Sequence, residues 1–132
     1  MPWTAEEQQF FENHIAAYPF PATYFDFATN TEIQAPNMGV LENTIRTMLV
    51  SANAVDVRNG LANVVHWGNG QSGYRHYRRR RFLASVTNRH IQDFQELLTR
   101  TPIPMLQHIK ILGRPVFSGI SFMSKIIAFL DP

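Results

Sequence analysis

A dense run of basic and aromatic residues spans positions 74–81. It contains five arginines, with Tyr74, His76 and Tyr77 between or beside them. Guanidinium groups neutralise phosphates, and aromatic rings next to them can stack on unpaired bases. The run therefore predicts a nucleic-acid contact, although a solvated helix or arginines neutralised by acidic residues elsewhere in the chain are the alternatives. The predicted contact residues are Arg75, Tyr77, Arg78, Arg79, Arg80 and Arg81.

A second candidate phosphate site is the Ser-Gly-Ile-Ser stretch at 118–121. The apolar segment before it is ended by Gly113 and Pro115, and Ser118 can cap the apolar helix that follows. This pattern is typical of a helix-hairpin-helix, whose backbone N–H groups favour a phosphate. Lys125 would add a side-chain charge one turn later. The alternative is a packed corner with Ser118 only as a cap and Lys125 only as a surface residue. The predicted contacts are Ser118, Gly119, Ile120, Ser121 and Lys125.

Trp67 stands directly before a glycine-rich loop at 68–73. Next to such a loop its indole could form a platform on which a base stacks, and we include it among the predicted DNA contacts. A tryptophan at the end of a helix is more often part of the core. Both interpretations remain open at this point.

The five histidines show no metal-ligand spacing, and the chain has no cysteine. Thiolate metal sites, disulfides and thiol catalysis are therefore excluded. The sequence predicts no metal and no cofactor.

Charge is distributed unevenly along the chain. Residues 1–74 hold two arginines against seven acidic residues, a net charge of −5, whereas residues 75–132 hold ten basic residues against three acidic ones, a net charge of +7. A basic half of this kind favours a polyanionic partner. The alternative is a dipolar domain whose two halves attract each other.

Helical periodicity predicts an all-α fold in one compact domain of six or seven helices. Residues 1–36 are expected to form an N-terminal brace, residues 37–101 a helical body with the basic run, and residues 102–132 the helix-hairpin-helix. Within the brace, residues 24–33 alternate enough to allow a short strand or an extended loop. Gly60, inside a predicted helix at 54–67, suggests either a close helix contact or a break.

No apolar run approaches the roughly 20 residues needed to span a bilayer. The N-terminal residues are acidic and lack the order of a signal peptide. We therefore expect a soluble cytoplasmic protein that does not associate with membranes.

From about residue 63 to its end, the chain resembles proteins similar to 8-oxoguanine DNA glycosylases, in the helix-hairpin-helix DNA glycosylase superfamily. The resemblance is carried by residues 63–68, Phe82-Leu83, residues 109–113, residues 117–125 and the closing Phe129-Leu130-Asp131-Pro132. It implies a DNA-repair enzyme that extrudes an oxidised purine and hydrolyses its N-glycosidic bond, in some members with lyase activity. It also implies duplex DNA as the partner.

Two positions depart from the superfamily pattern. The lysine nucleophile of bifunctional members falls here on Met123, and Lys125 stands two residues further along, so Lys125 is a candidate nucleophile only if the alignment shifts. The catalytic aspartate of the superfamily would lie beyond Pro132, and Asp131 corresponds better to a helix-terminating corner. The resemblance therefore implies DNA binding more strongly than catalysis, and it suggests a truncated chain. The rival interpretations are a non-enzymatic nucleic-acid-binding module and a protein-interaction domain that uses Arg78–Arg81.

Overall fold

The computed structural model describes residues 21–70, 73–101 and 120–131, and of Ile120 and Ser121 it describes only the helical backbone. These parts of the chain are mostly helical but include a small two-stranded sheet. The expected all-α class is thus correct in that helices dominate, but the described residues are not purely helical. The elements are β1 (Thr23–Asp26), β2 (Thr31–Gln34), α1 (Met38–Leu49), α2 (Ala54–Gly68), α3 (Arg75–Ser85), α4 (Asn88–Arg100) and α5 (Ile120–Leu130).

The sheet is an antiparallel hairpin in the segment where the sequence allows either a strand or an extended loop. Phe25 pairs with Glu32 and Asp26 with Thr31 across the two strands. The connecting turn is stabilised by Asp26, whose Oδ1 accepts from the backbone N–H of Ala28 at 2.9 Å. Asn30 completes the turn with a φ of 56°, a left-handed conformation that asparagine tolerates well.

Helices α1 and α2 begin where the sequence predicts. The Asn37 side chain accepts from Val40 N–H at 2.9 Å, and that of Asn53 accepts from Val55 N–H at 2.8 Å, so each asparagine satisfies a free donor of a first turn. Leu41, Ile45 and Leu49 of α1 repeat at four-residue spacing and are fully buried. Local capping and periodicity together account for both helices.

Gly60 lies at the contact between α1 and α2. A Cβ atom at this position would come within 2.8 Å of Met48 Cβ and 3.1 Å of the Leu49 backbone nitrogen. Real Cβ atoms do not approach other atoms so closely, and a backbone atom cannot move aside easily. Of the two roles that the sequence suggests for Gly60, the structure has the close helix contact and not the break.

Helix α4 begins with a reciprocal cap. Thr87 Oγ1 accepts from His90 N–H at 3.2 Å, and His90 Nδ1 accepts from Thr87 N–H at 3.0 Å. Histidine thus takes the position that glutamate or glutamine usually holds in such a box. Thr87 is therefore the N-cap of this helix.

Helix α5 packs against α1 and α2 in the centre of the fold. Its residues Met123, Ile126, Ile127 and Phe129 are all buried, and the Phe129 ring meets the Trp67 ring edge-on at a centroid distance of 5.3 Å. The first helix of the predicted helix-hairpin-helix and its hairpin, at 102–119, lie outside the described residues, as does the part of the predicted N-terminal brace before residue 21. No helix within the described ranges is long and apolar enough to cross a membrane.

Candidate functional site

Helix α3, which carries the arginine run, has one exposed and one buried side. Tyr74 at its N-cap is 66% exposed and Tyr77 is 53% exposed, whereas Arg79 is only 4% exposed and Phe82 is also buried. Tyr74, Tyr77 and Arg78 therefore lie on the outside of α3, whereas the half-buried Leu83 lies inward. The buried residues of α3 are Arg79 and Phe82, which lie about one turn apart.

The exposed side of α3 consists of Tyr74, Tyr77, Arg78 and Arg81, which follow one another at three- and four-residue spacing. Residues so spaced share one face of a helix. Arg80 is exposed beside this face, next to Tyr77 on the helix surface. Within the described residues, the guanidinium groups of Arg78, Arg80 and Arg81 have no carboxylate within ion-pair distance. We call Tyr74, Tyr77, Arg78 and Arg81 the outer face.

The inner side of α3 is joined to the β-hairpin through Glu32. Arg75 donates to both carboxylate oxygens, from Nε at 2.6 Å and from Nη2 at 3.2 Å. The Nε2 atom of the fully buried His66 lies 2.6 Å from Oε2, and His76 Nε2 lies 3.7 Å from the same oxygen. The Arg75 hydrogen bonds, with a further contribution from His66, lower the pKa of Glu32 to about 2, although burial opposes this shift. Glu32 is therefore a carboxylate at any physiological pH.

Arg79 contacts the two imidazoles at their Nδ1 atoms, whereas Glu32 lies near their Nε2 atoms. Its Nη1 lies 3.1 Å from Nδ1 of His66 and 2.9 Å from Nδ1 of His76, and its Cζ lies 3.6 Å from the centroid of the Phe25 ring. A guanidinium group only donates, so both Nδ1 atoms must accept and both neutral imidazoles carry their proton on Nε2. His66 can then donate that proton towards Glu32. The cluster is a chain of hydrogen bonds that runs from Arg79 through imidazole to carboxylate.

Burial lowers the pKa of His66 to about 4, even though Glu32 pulls it upwards. The pKa of His76 is also lowered, first by burial and then by the charge of Arg79. Both shifts favour the neutral imidazoles that the Arg79 contacts require. The geometry and the proton affinities of the cluster are consistent with each other.

Glu32, His66 and His76 place potential metal-ligand atoms within 4.8 Å of one another. A neutral imidazole that binds a metal through Nε2 must hold its proton on Nδ1. At both rings that proton would point at the N–H group of Arg79, and Arg75 already holds the carboxylate. The donor set is therefore arranged as an ion-pair cluster and fits a metal ion poorly.

Asn63 of α2 fixes the hairpin that carries Glu32. Its Oδ1 accepts from the backbone N–H of Phe25 at 2.6 Å, and its Nδ2 donates to the Phe25 carbonyl at 3.1 Å. His66 follows Asn63 by one turn on the same helix, so it faces the same hairpin. Helix α2 thus positions the carboxylate and one of its imidazole partners together.

An open cleft of about 590 Å³ lies between the hairpin and α3. Phe27 and Leu83 provide apolar surface, and Asn30 and Thr31 provide polar groups. On the side of α3 it is lined by His76, Arg79 and Arg80, and on the side of the hairpin by the carboxylate residue Glu32.

Two residues predicted to contact DNA lie instead in the core. Trp67 is 0% exposed, so the stacking platform is a misassignment and the core alternative is correct. Lys125 is 8% exposed, and its stem lies so close to Gly68 that a Cβ there would be 3.1 Å from Lys125 Cδ. Burial lowers the pKa of the Lys125 amine. Lys125 is therefore not the surface cation that its sequence position suggests.

The predicted arginines divide into two groups, with Arg78, Arg80 and Arg81 exposed and Arg75 and Arg79 committed to the cluster. Of the predicted hairpin, Ser118 and Gly119 lie outside the described residues, and the side chains of Ile120 and Ser121 are not described. Sequence reasoning missed Glu32, His66 and Phe25 as partners of the arginines. No local signal identifies them, because Glu32 is 34 residues from His66 and 43 from Arg75.

Comparisons of the chain with protein-family models, with curated proteins and with solved structures find no match.

Proposed function

We propose that the protein binds nucleic acid, with duplex DNA as its main partner, through the outer face of α3. The observation that carries this proposal is the pair of exposed arginines on this face, Arg78 and Arg81, neither of which has a carboxylate partner among the described residues. Arginines on a solvated helix surface can neutralise phosphates and release counterions, which is the main source of affinity for nucleic acids.

The two tyrosines support the same function. Tyr74 and Tyr77 are both more than half exposed and alternate with the arginines on one helix surface. Aromatic rings beside arginines contribute stacking on unpaired bases, while the arginines contact the backbone. The ion-pair cluster on the opposite side of α3 holds the helix to the body of the protein, so the outer face is presented on a fixed element.

Salt-dependent binding to a short duplex tests this proposal. We expect the affinity of the unaltered chain to fall steeply as salt rises, and the double variant Arg78→Gln/Arg81→Gln to reduce the slope of log K against log salt by about 2. Arg100→Gln, an exposed arginine at the end of α4, is the matched control and is expected to leave the slope unchanged. Absence of any duplex affinity at low salt would exclude nucleic-acid binding and favour an acidic protein partner for Arg78–Arg81.

On the resemblance stated above, we further propose that this binding serves base excision of oxidised purines. The one described lysine suited to act as an amine nucleophile is Lys125, whose pKa is lowered by burial, so that its neutral amine is more populated than that of an ordinary lysine. Its low exposure means that the amine would have to become accessible when DNA binds.

Borohydride trapping on a duplex containing an oxidised guanine tests the lyase step, because only an amine nucleophile forms a covalent adduct. We expect Lys125→Gln to abolish trapping, and persistence of the adduct in that variant would assign the step to another amine. Release of the free base is measured in parallel, because a monofunctional glycosylase releases base without trapping. Neither trapping nor base release would leave the chain as a non-enzymatic binding module.

A further inference from the structure

The cleft between the β-hairpin and α3 contains a buried positive charge with which no described carboxylate forms a direct ion pair, although Glu32 also lines the cleft. Arg79 lines this cleft, is 4% exposed and has no carboxylate within ion-pair distance among the described residues. The nearest carboxylate, Glu32, is held by Arg75 and His66. A buried charge without a counter-charge is costly. The two imidazoles accept hydrogen bonds from Arg79 but carry no negative charge.

Arg79 also has unused hydrogen-bonding capacity. Its Nη1 atom contacts both imidazoles, whereas its buried Nε has no acceptor. Buried N–H groups without acceptors are rare in folded proteins. Arg80, the next residue, is exposed and lines the same cleft, so two guanidinium groups flank it from one helix.

We infer that this cleft is an anion site in which Arg79 and Arg80 hold a phosphate group. Guanidinium groups bind phosphate through paired, charge-assisted hydrogen bonds, which is the contact that the free Nε–H of Arg79 lacks. Asn30 and Thr31 at the hairpin turn can add neutral hydrogen bonds, and Phe27 and Leu83 can contact whatever the phosphate is attached to. Three arginines against one carboxylate leave the surroundings positive even after the Glu32 pairings.

The proton affinity of Arg79 agrees with this geometry. Its pKa is lowered from its usual value, chiefly because burial removes hydration and secondly because Arg80 repels its charge, while the charge of Glu32 only partly opposes these two effects. A bound anion would offset both effects.

This site is separate from the outer face, because Arg78 and Arg81 do not line the cleft. The inference goes beyond the proposed nucleic-acid binding and does not depend on it. The phosphate could belong to a bound strand or to a small molecule, and the two sources share the same chemistry.

Titration of the full chain with inorganic phosphate, followed by the NMR signals of the arginine Nε–H groups, tests the site. We expect one Nε–H signal, assigned to Arg79 by its loss in Arg79→Lys, to shift and saturate with phosphate but not with chloride at equal ionic strength. Arg80→Gln is expected to weaken phosphate binding about tenfold, as the loss of one charge-assisted contact would. Arg100→Gln, which removes an exposed arginine outside both the cleft and the outer face, is the matched control and is expected to bind phosphate unchanged.

A shift that does not saturate, or equal weakening by Arg80→Gln and Arg100→Gln, would overturn the anion site. Competition by a 5′-phosphorylated oligonucleotide but not by its unphosphorylated counterpart would support a terminal phosphate as the ligand, and competition by both would support the strand backbone. Duplex binding that depends on Arg78 and Arg81 without any response of Arg79 to phosphate would leave the proposed function intact and refute this inference. Phosphate binding in a chain that does not bind nucleic acid would do the reverse and identify a small phosphate-bearing ligand.

Discussion

Helices α3 and α5 both carry residues that the sequence marks as phosphate contacts, and they have opposite environments. Helix α3 exposes most of its length, whereas α5 is buried from Lys125 to Leu130. The difference follows from composition, since arginines crowd α3 while α5 has a single basic residue in an apolar helix. A basic residue is thus a useful indicator of a binding surface only where its neighbours on the same helix are also polar.

Helix α3 repeats this contrast on a smaller scale. Arg78 and Arg81 lie in solvent, while Arg79, between them in sequence, lies against Phe25 and two histidines. Consecutive arginines point in different directions on a helix, so one run supplies both a surface and a buried cluster. Residues in these two environments should therefore contribute differently to the free energy of unfolding.

The largest expected difference in the free energy of unfolding is between removing an aromatic ring from α5 and removing one from α3. Phe129→Ala removes a fully buried ring packed against Trp67, and we expect it to lower the free energy of unfolding by about 3–5 kcal/mol. Tyr77→Ala, on the exposed side of α3, is expected to change it by about 0.5 kcal/mol or less. Urea denaturation measures both. Similar losses in the two variants would contradict the assigned burial of α5.

The next largest effect is the dependence of stability on pH, which arises from the cluster on the inner side of α3. The pKa of His66 is about 4 in the folded chain and 6.5 ordinarily, so below pH 6.5 the unfolded state takes up a proton that the folded state does not. Stability is therefore complete above about pH 6.5 and is lost as pH falls towards 4, by roughly 2–3 kcal/mol for this group. Glu32 adds a further loss between pH 4.5 and 2, because its pKa is lowered from 4.5 to about 2.

Denaturation curves recorded between pH 7 and pH 4 measure the His66 contribution. We expect His66→Gln to flatten most of this pH dependence at the expense of stability at neutral pH. His90→Gln is the control, because His90 caps α4 at the surface and lies outside the cluster. An unchanged pH dependence in His66→Gln would show that the imidazole is not held neutral by its surroundings.

The smallest effect is expected on the outer face. Arg78→Gln and Arg81→Gln should each change the free energy of unfolding by about 0.5 kcal/mol or less, because these side chains are exposed and have no described ion pair. Arg79→Gln is expected to cost more, about 1–3 kcal/mol, because it leaves the buried His66 imidazole and the partly exposed His76 imidazole without their charged donor. Equal, small losses in all three variants would remove the distinction between the outer face and the cluster.

Local signals in the sequence account for much of the helical framework. Asn37, Asn53 and Thr87 begin helices where capping chemistry predicts, and Gly60 marks a close contact that its presence inside a helix suggests. For the segment that forms the hairpin, the sequence allows either a short strand or an extended loop. It does not decide between them, because a four-residue strand without strict alternation carries little periodic signal. The sequence leaves Trp67 open between a stacking platform and the core, because its burial depends on α5, whose packing against α2 has no local signature.

By itself, the sequence determined the positions of these helices and the basic character of the second half of the chain, because caps, periodicity and charge are properties of neighbouring residues. Only the tertiary structure decided which arginines face solvent and which one lines a cleft with its Nε–H unpaired. That division depends on Glu32, Phe25 and His66, which approach α3 from distant parts of the chain. Contacts over such separations form only when the hairpin and α2 pack together, and they select the buried arginine through desolvation and the hydrogen-bond acceptors available to it.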